Sequence, residues 1–187
     1  MTTYPAASLV YNGGFDGDPV ASPFDWRLAT AGGVQARIVE EGDNRALRLT
    51  FTGTENVTGT GVVQQVWLAP GCYRLRARVR SERLTTDEGV FVRLRREGRP
   101  AQAGASPGAG LPARPAVDVA TTAVLGTNPW HEVAQPFCVE GDSGLASLSL
   151  ERRRSLKFDQ LVDGVVWIDD VEVAPVPTSS TGEGRTP

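Results

Sequence analysis

Residues 73–80 read Tyr-Arg-Leu-Arg-Ala-Arg-Val-Arg, an unbroken alternation of apolar or small side chains with arginine. Successive side chains of an extended strand point to opposite faces. A two-residue period therefore places Tyr73, Leu75, Ala77 and Val79 on one side and Arg74, Arg76, Arg78 and Arg80 on the other. A helix would spread both sets around its circumference and bury arginine beside leucine. The same period recurs along the chain. Leu47, Leu49 and Phe51 stand against Arg48 and Thr50, and Val90, Val92 and Leu94 against Phe91, Arg93 and Arg95. Leu148 and Leu150 stand against Ser147 and Ser149. Residues 61–68 and 130–139 read as further strands. No stretch of a dozen residues carries a clean helical period, and 21 glycines and 13 prolines punctuate the rest. The pattern predicts an all-β domain of short antiparallel strands.

The 187 residues suffice for one domain with a substantial core. A net charge of −3 argues against a general nucleic-acid binder. No apolar run approaches the ~20 residues of a membrane span. The first residues lack the basic-then-apolar order of a signal peptide. Lysine and arginine total 19, and all but Lys157 are arginine. The two cysteines, Cys72 and Cys138, lack metal-binding spacing. They form a disulfide if the chain is exported, or else remain two small buried thiols. Residues 1–7 read as a lead-in, 8–174 as the domain and 175–187 as a linker-like tail that ties it to the remainder of a larger chain. Residues 96–115, rich in Ala, Gly and Pro, read as a loop inserted between two strands.

The order of the pieces carries a resemblance. "LVYNGGFDG" is followed by "FDW", "RALRLTF" and "QQVWLAPGCYRLRARVRSE", then by "TNPWHEVAQPFCV" and "VVWIDDVEV". This succession resembles the jelly-roll carbohydrate-binding modules of families four, nine and twenty-two, within the galactose-binding-like group. The opening also resembles a jelly-roll region of bacterial tetratricopeptide-repeat proteins tied to exopolysaccharide export. The resemblance implies an antiparallel two-sheet β-sandwich, a jelly roll, with an extracytoplasmic, periplasmic or secreted setting. It implies a carbohydrate or polysaccharide partner bound without catalysis, including acidic polysaccharide of a bacterial envelope. The alternative is a structural or protein–protein interaction domain of a larger envelope assembly.

The resemblance also implies a structural calcium ion (Ca²⁺) where the two ends of the domain meet. Asp16 matches the opening acid, while Asp169 and Asp170 match the closing pair. Asp169 shares the parity of Val171 and Val173, so it is expected to turn inward and to need a cation. Otherwise Asp16 caps a turn and Asp169 pairs with an arginine. For sugar binding the candidates are Arg74, Arg76, Arg78, Arg93 and Arg95, which form one cationic face if their strands share a sheet. Phe91 and Trp67 are candidate stacking platforms. Against this stands ordinary pairing of those arginines with Glu82, Glu132 and Glu151. Trp26 and Trp130 read as core or rim packing and Trp167 as core. Catalysis lacks a convergent set: one histidine, His131, no G-x-S-x-G elbow, and adjacent aspartates on opposite faces.

Overall fold

The structure is a computed structural model that describes residues 8–29, 31–101, 114–157 and 160–176. Ten strands follow in order: β1 Arg27–Leu28, β2 Val34–Glu41, β3 Asn44–Thr52, β4 Gly59–Leu68, β5 Gly71–Leu84, β6 Val90–Arg96, β7 Val117–Ala120, β8 Gly126–Val139, β9 Gly144–Arg152 and β10 Asp163–Pro175. Every pairing between them is antiparallel. Sheet one runs β1-β4-β9-β6-β7, and sheet two runs β2-β3-β10-β5-β8. The expected two-sheet jelly roll is present.

The alternation explains the sandwich. Leu49, Leu75, Leu94, Leu148, Val166 and Ile168 are all essentially buried, in one cluster contributed by both sheets. Burying a side chain of this size stabilises the fold by about 1.5–3 kcal/mol. Most outward residues of the same strands are polar or half-exposed, Phe91 and Trp167 being buried exceptions. Yet β5 lies in sheet two and β6 in sheet one. Arg74, Arg76 and Arg78 therefore occupy the outer face opposite to that of Phe91, Arg93 and Arg95. The single cationic face conditionally expected from the sequence does not form, because a two-residue period assigns faces and not sheets.

Cys72 and Cys138 are direct partners in the β5–β8 register, with Cα atoms 4.0 Å apart, and they are disulfide-bonded. That decides between the two readings of the thiols. The insertion is closed at its base, where Arg99 and Arg114 exchange backbone hydrogen bonds of 2.8 and 2.7 Å. The inserted loop's residues 102–113, the lead-in 1–7 and the tail beyond 176 lie outside the described residues.

The closing strand departs from the simple pattern. β10 shifts register against β5 between Asp169 and Glu172, and Asp170 takes φ 48°. Asp169 pairs with outward-facing Arg78 and so has the parity of Trp167, not that of Val171. It is nonetheless only 2% exposed. The expectation that Asp169 turns into the core with Val171 is corrected: the bulge resets the alternation, and other chain segments cover the acid. Trp167 is corrected likewise. It is buried on the outer face beneath Arg80, whose guanidinium lies 3.9 Å from the ring centroid.

The opening segment docks onto this bulge. Leu9 donates to the Val173 carbonyl, and Val171 donates to the Gly13 carbonyl, both at 2.9 Å. The Asn12 side chain clamps both the N–H and C=O of Gly17, and Trp26 Nε1 donates to the Asn12 carbonyl. Phe15 packs on Trp26 with centroids 5.3 Å apart. A Cβ on Gly13 would stand 2.0 Å from the Val171 carbonyl oxygen, a backbone atom that cannot rotate away. Gly13→Ala should therefore destabilise the protein by about 1–3 kcal/mol, read as a lower urea midpoint at unchanged slope; an unaltered midpoint would show that the opening turn is not held there.

Candidate functional site

The outer face of sheet one carries a groove. Val63 on β4, Ser149 on β9, Arg93 on β6 and Ala120 on β7 are successive register partners, so they form one row across the strands. Three strand spacings make that row roughly 14 Å long. Beside it runs an open groove of about 520 Å³, lined by Thr58–Val63, Phe91, Arg93 and Ser149–Arg154. A second hollow of about 400 Å³ shares Phe91, Arg93 and Arg153 with it and extends to Asp118 and Ala120. The floor is cut low because Gly59, Gly61 and Ser149 carry little or no side chain. Farther along β4 on the same face stands Trp67, 55% exposed, opposite the exposed Leu145.

The charges of the groove fall into two groups. Arg93 is clamped: its Nε and Nη2 donate to Asp118 at 2.7 and 2.6 Å, and its Nη1 donates to Glu151 at 3.0 Å. Hydrogen bonding to Asp118 and then to Glu151 pushes the Arg93 pKa up, and the same contact holds the Asp118 carboxyl below its ordinary value. Ser149 Oγ also donates to Glu151, so polar groups tile the groove wall. Arg152 is buried and turned away, donating to Thr86, to the Asn56 side chain and to the Val57 carbonyl. Arg153 and Arg154 are exposed. The Arg153 guanidinium carbon lies 5.5 Å from the Phe91 ring centroid, and among the described residues neither arginine has a carboxylate within ion-pair distance. Lys157, three residues on from Arg154, pairs with Asp87.

The other predicted arginines have a different fate. On sheet two Arg74 pairs with Glu132 at 2.5 Å, Arg76 with Glu132 and Glu172, Arg78 with Asp170 at 3.7 Å, and Arg80 with Glu41 at 3.2 Å. Arg78 and Arg80 also lie over the half-buried Trp130. On sheet one Arg95 pairs with Glu97. The expected pairing role of Glu132 and Glu151 is present, whereas Glu82 pairs, among the described residues, with its neighbour Arg83. Phe91 is 6% exposed, so the open platform expected there is corrected: the ring lies under Arg153, and Trp67 is the exposed indole of this face. His131 is exposed and lines neither hollow. Sequence reading missed Arg153 and Arg154. Their signal was the run Glu-Arg-Arg-Arg at 151–154, which closes a strand and starts a loop.

At the end where the opening segment meets β10, two carboxylates approach Gly14. A Cβ there would stand 3.1 Å from Asp16 Oδ2 and 3.8 Å from Asp169 Oδ1. Asp169 Oδ1 accepts from the Asp170 N–H and Oδ2 from the Asn44 amide, each at 2.7 Å. Burial pushes the Asp169 pKa up. Asp170 is exposed and turned toward Arg78. Among the described residues no three acidic, imidazole or thiol groups converge.

No protein-family model and no curated protein matches the sequence. Solved structures do match the fold. The CBM22-1–CBM22-2 tandem domain from Paenibacillus barcinonensis aligns with TM-score 0.57 and 13% identity, over 94% of this chain and 51% of that one. The CBM22-1 xylan-binding domain from the same organism aligns with TM-score 0.52 and 13% identity, over 95% of this chain and 100% of that one. The enzymatically active domain of tailspike protein 4 of Bacteriophage CBA120 aligns with TM-score 0.52 and 12% identity, over 90% of this chain and 21% of that one. The fold is the jelly roll of carbohydrate-binding modules. The same jelly roll in a tailspike shows that the fold alone leaves activity open.

The Arg93 clamp yields a prediction. The depressed Asp118 pKa means that the pair adds stability above the ordinary aspartate value of 3.8 and loses it as pH falls through the folded value. Arg93→Gln should return the Asp118 carboxyl toward 3.8 in an NMR titration. The stability gap between wild type and variant should close below that pH, and a gap that persists in acid would refute the ion-pair account.

Proposed function

We propose that this chain is a non-catalytic carbohydrate-binding module whose ligand, a polysaccharide, lies along the groove of sheet one. The observation that carries the reading is the groove itself: a low floor of glycine and serine, a wall of fixed hydrogen-bonding groups, and an exposed indole on the same face. Sugars present hydroxyls at their edges and apolar C–H faces, and this combination suits both. The structurally similar CBM22-1 xylan-binding domain adds support from the fold. The disulfide is compatible with an oxidising, extracytoplasmic setting. The proposal extends to the acidic polysaccharides of a bacterial envelope. Arg74, Arg76 and Arg78 are each engaged by acids, so recognition of an acidic sugar falls to other residues. Affinity electrophoresis against a panel of soluble polysaccharides tests the function. Trp67→Ala should weaken binding about tenfold with an unchanged circular-dichroism spectrum, and retention of no polysaccharide by the wild type would sink the proposal.

We also propose calcium as a structural ion between Asp16 and Asp169. The donor set fits: each Asp169 oxygen accepts one hydrogen bond and keeps a lone pair, and burial disfavours its charge in the absence of a cation. Backbone carbonyls would complete the six to eight oxygens that calcium takes. The ion would tie the opening turn to β10. Calcium should raise the wild-type melting temperature and leave that of Asp169→Asn unchanged; equal melting of the wild type in calcium and in chelator would refute the site.

A further inference from the structure

We propose that Arg153 and Arg154 read a carboxylate on the glycan, so that the groove selects a uronate-bearing polymer over a neutral one. The inference rests on the groove being the glycan site, and it names what enters. Four guanidinium groups line the larger groove and one carboxylate, Glu151, faces them. Two of the four are committed. Arg93 is clamped by Asp118 and Glu151, and Arg152 is buried in a cage of neutral acceptors. The positive charge open to a ligand belongs to Arg153 and Arg154, both exposed and both without an acid partner among the described residues, whereas that of Arg152 is buried.

The placement of Arg153 suits recognition of a planar oxyanion. Its guanidinium carbon lies over the Phe91 ring, 5.5 Å from the centroid, a cation–π distance. The N–H donors of a guanidinium form a planar fork that matches a carboxylate with two parallel bonds, and among the described residues no acid occupies that of Arg153. The contact with Phe91 also restrains the long side chain before a ligand arrives, which lowers the entropy lost on binding. Arg153 further lines both hollows, so an anion held there sits where the two meet. Adjacent Arg154 lines the larger groove and adds a second cation within it. Across the sandwich the arginines of β5 offer the contrast: each is already neutralised by an acid on its own face.

Calorimetric titration with polygalacturonate, neutral β-1,4-galactan and dextran sulfate tests the proposal, at low and high salt. The proteins compared are the wild type, R153Q/R154Q and the charge-matched R74Q/R76Q on the opposite face. Wild type should bind polygalacturonate about tenfold tighter than galactan. R153Q/R154Q should lose that preference while still binding galactan, and R74Q/R76Q should keep it. A preference that survives in R153Q/R154Q, or falls equally in both variants, overturns the inference; the latter assigns it to net charge. Galactan binding without any uronate preference overturns the inference and leaves the groove as a neutral-glycan site. Dependence on the pair for dextran sulfate alone overturns the carboxylate assignment in favour of sulfate. Failure of the wild type to bind any of the three overturns both readings.

Discussion

The seating of the opening turn on the bulge of β10 governs much of the rest. β10 is the central strand of sheet two, flanked by β3 and β5, and its bulge falls just past Ile168, the last residue that pairs with β3. The bulge lets Trp167 face outward and Val171 inward on one strand, which regular alternation forbids. It also creates the recess into which residues 9–17 fold. Backbone bonds from Leu9 and to Gly13 satisfy groups that the distorted ladder leaves unpaired. Asp169 is buried as a consequence of that docking.

The two outer faces begin from the same chemistry and end differently. β5 and β6 both present alternating arginines, Arg74 to Arg80 on one and Arg93 and Arg95 on the other. On sheet two, acids from β2, β8 and β10 stand within reach, and the arginines become a paired, aromatic-backed surface. On sheet one the neighbours of Arg93 include serine, alanine and glycine as well as acids. Small side chains leave space, and space beside fixed polar groups is what a ligand needs. The groove exists because of what β4 and β9 lack as much as what β6 carries.

Much of the fold was legible in the sequence, because burial enforces a two-residue period wherever one face of a strand is covered. Leu75, Leu94 and Leu148 point where their spacing says. Sheet membership was not legible, since β5 and β6 have the same pattern whether they adjoin or oppose. The parity of Asp169 misled for a related reason: no local signal announced the bulge, and Asp170, a non-glycine residue, adopts positive φ there. Strand parity alone makes Phe91 a candidate platform, because parity sets direction but says nothing of what lies on top. Arg153 and Arg154 escaped notice because they follow a strand's last residues, where periodicity no longer applies.

The near-absence of lysine has a practical side. Amine-reactive reagents find a single side-chain target, Lys157, and it follows closely on the segment that forms the rim of the groove. Coupling through that amine to a sensor chip or bead would bring the rim toward the support and shade the surface that is to be assayed. Attachment elsewhere on the molecule would leave the groove open to large polymers.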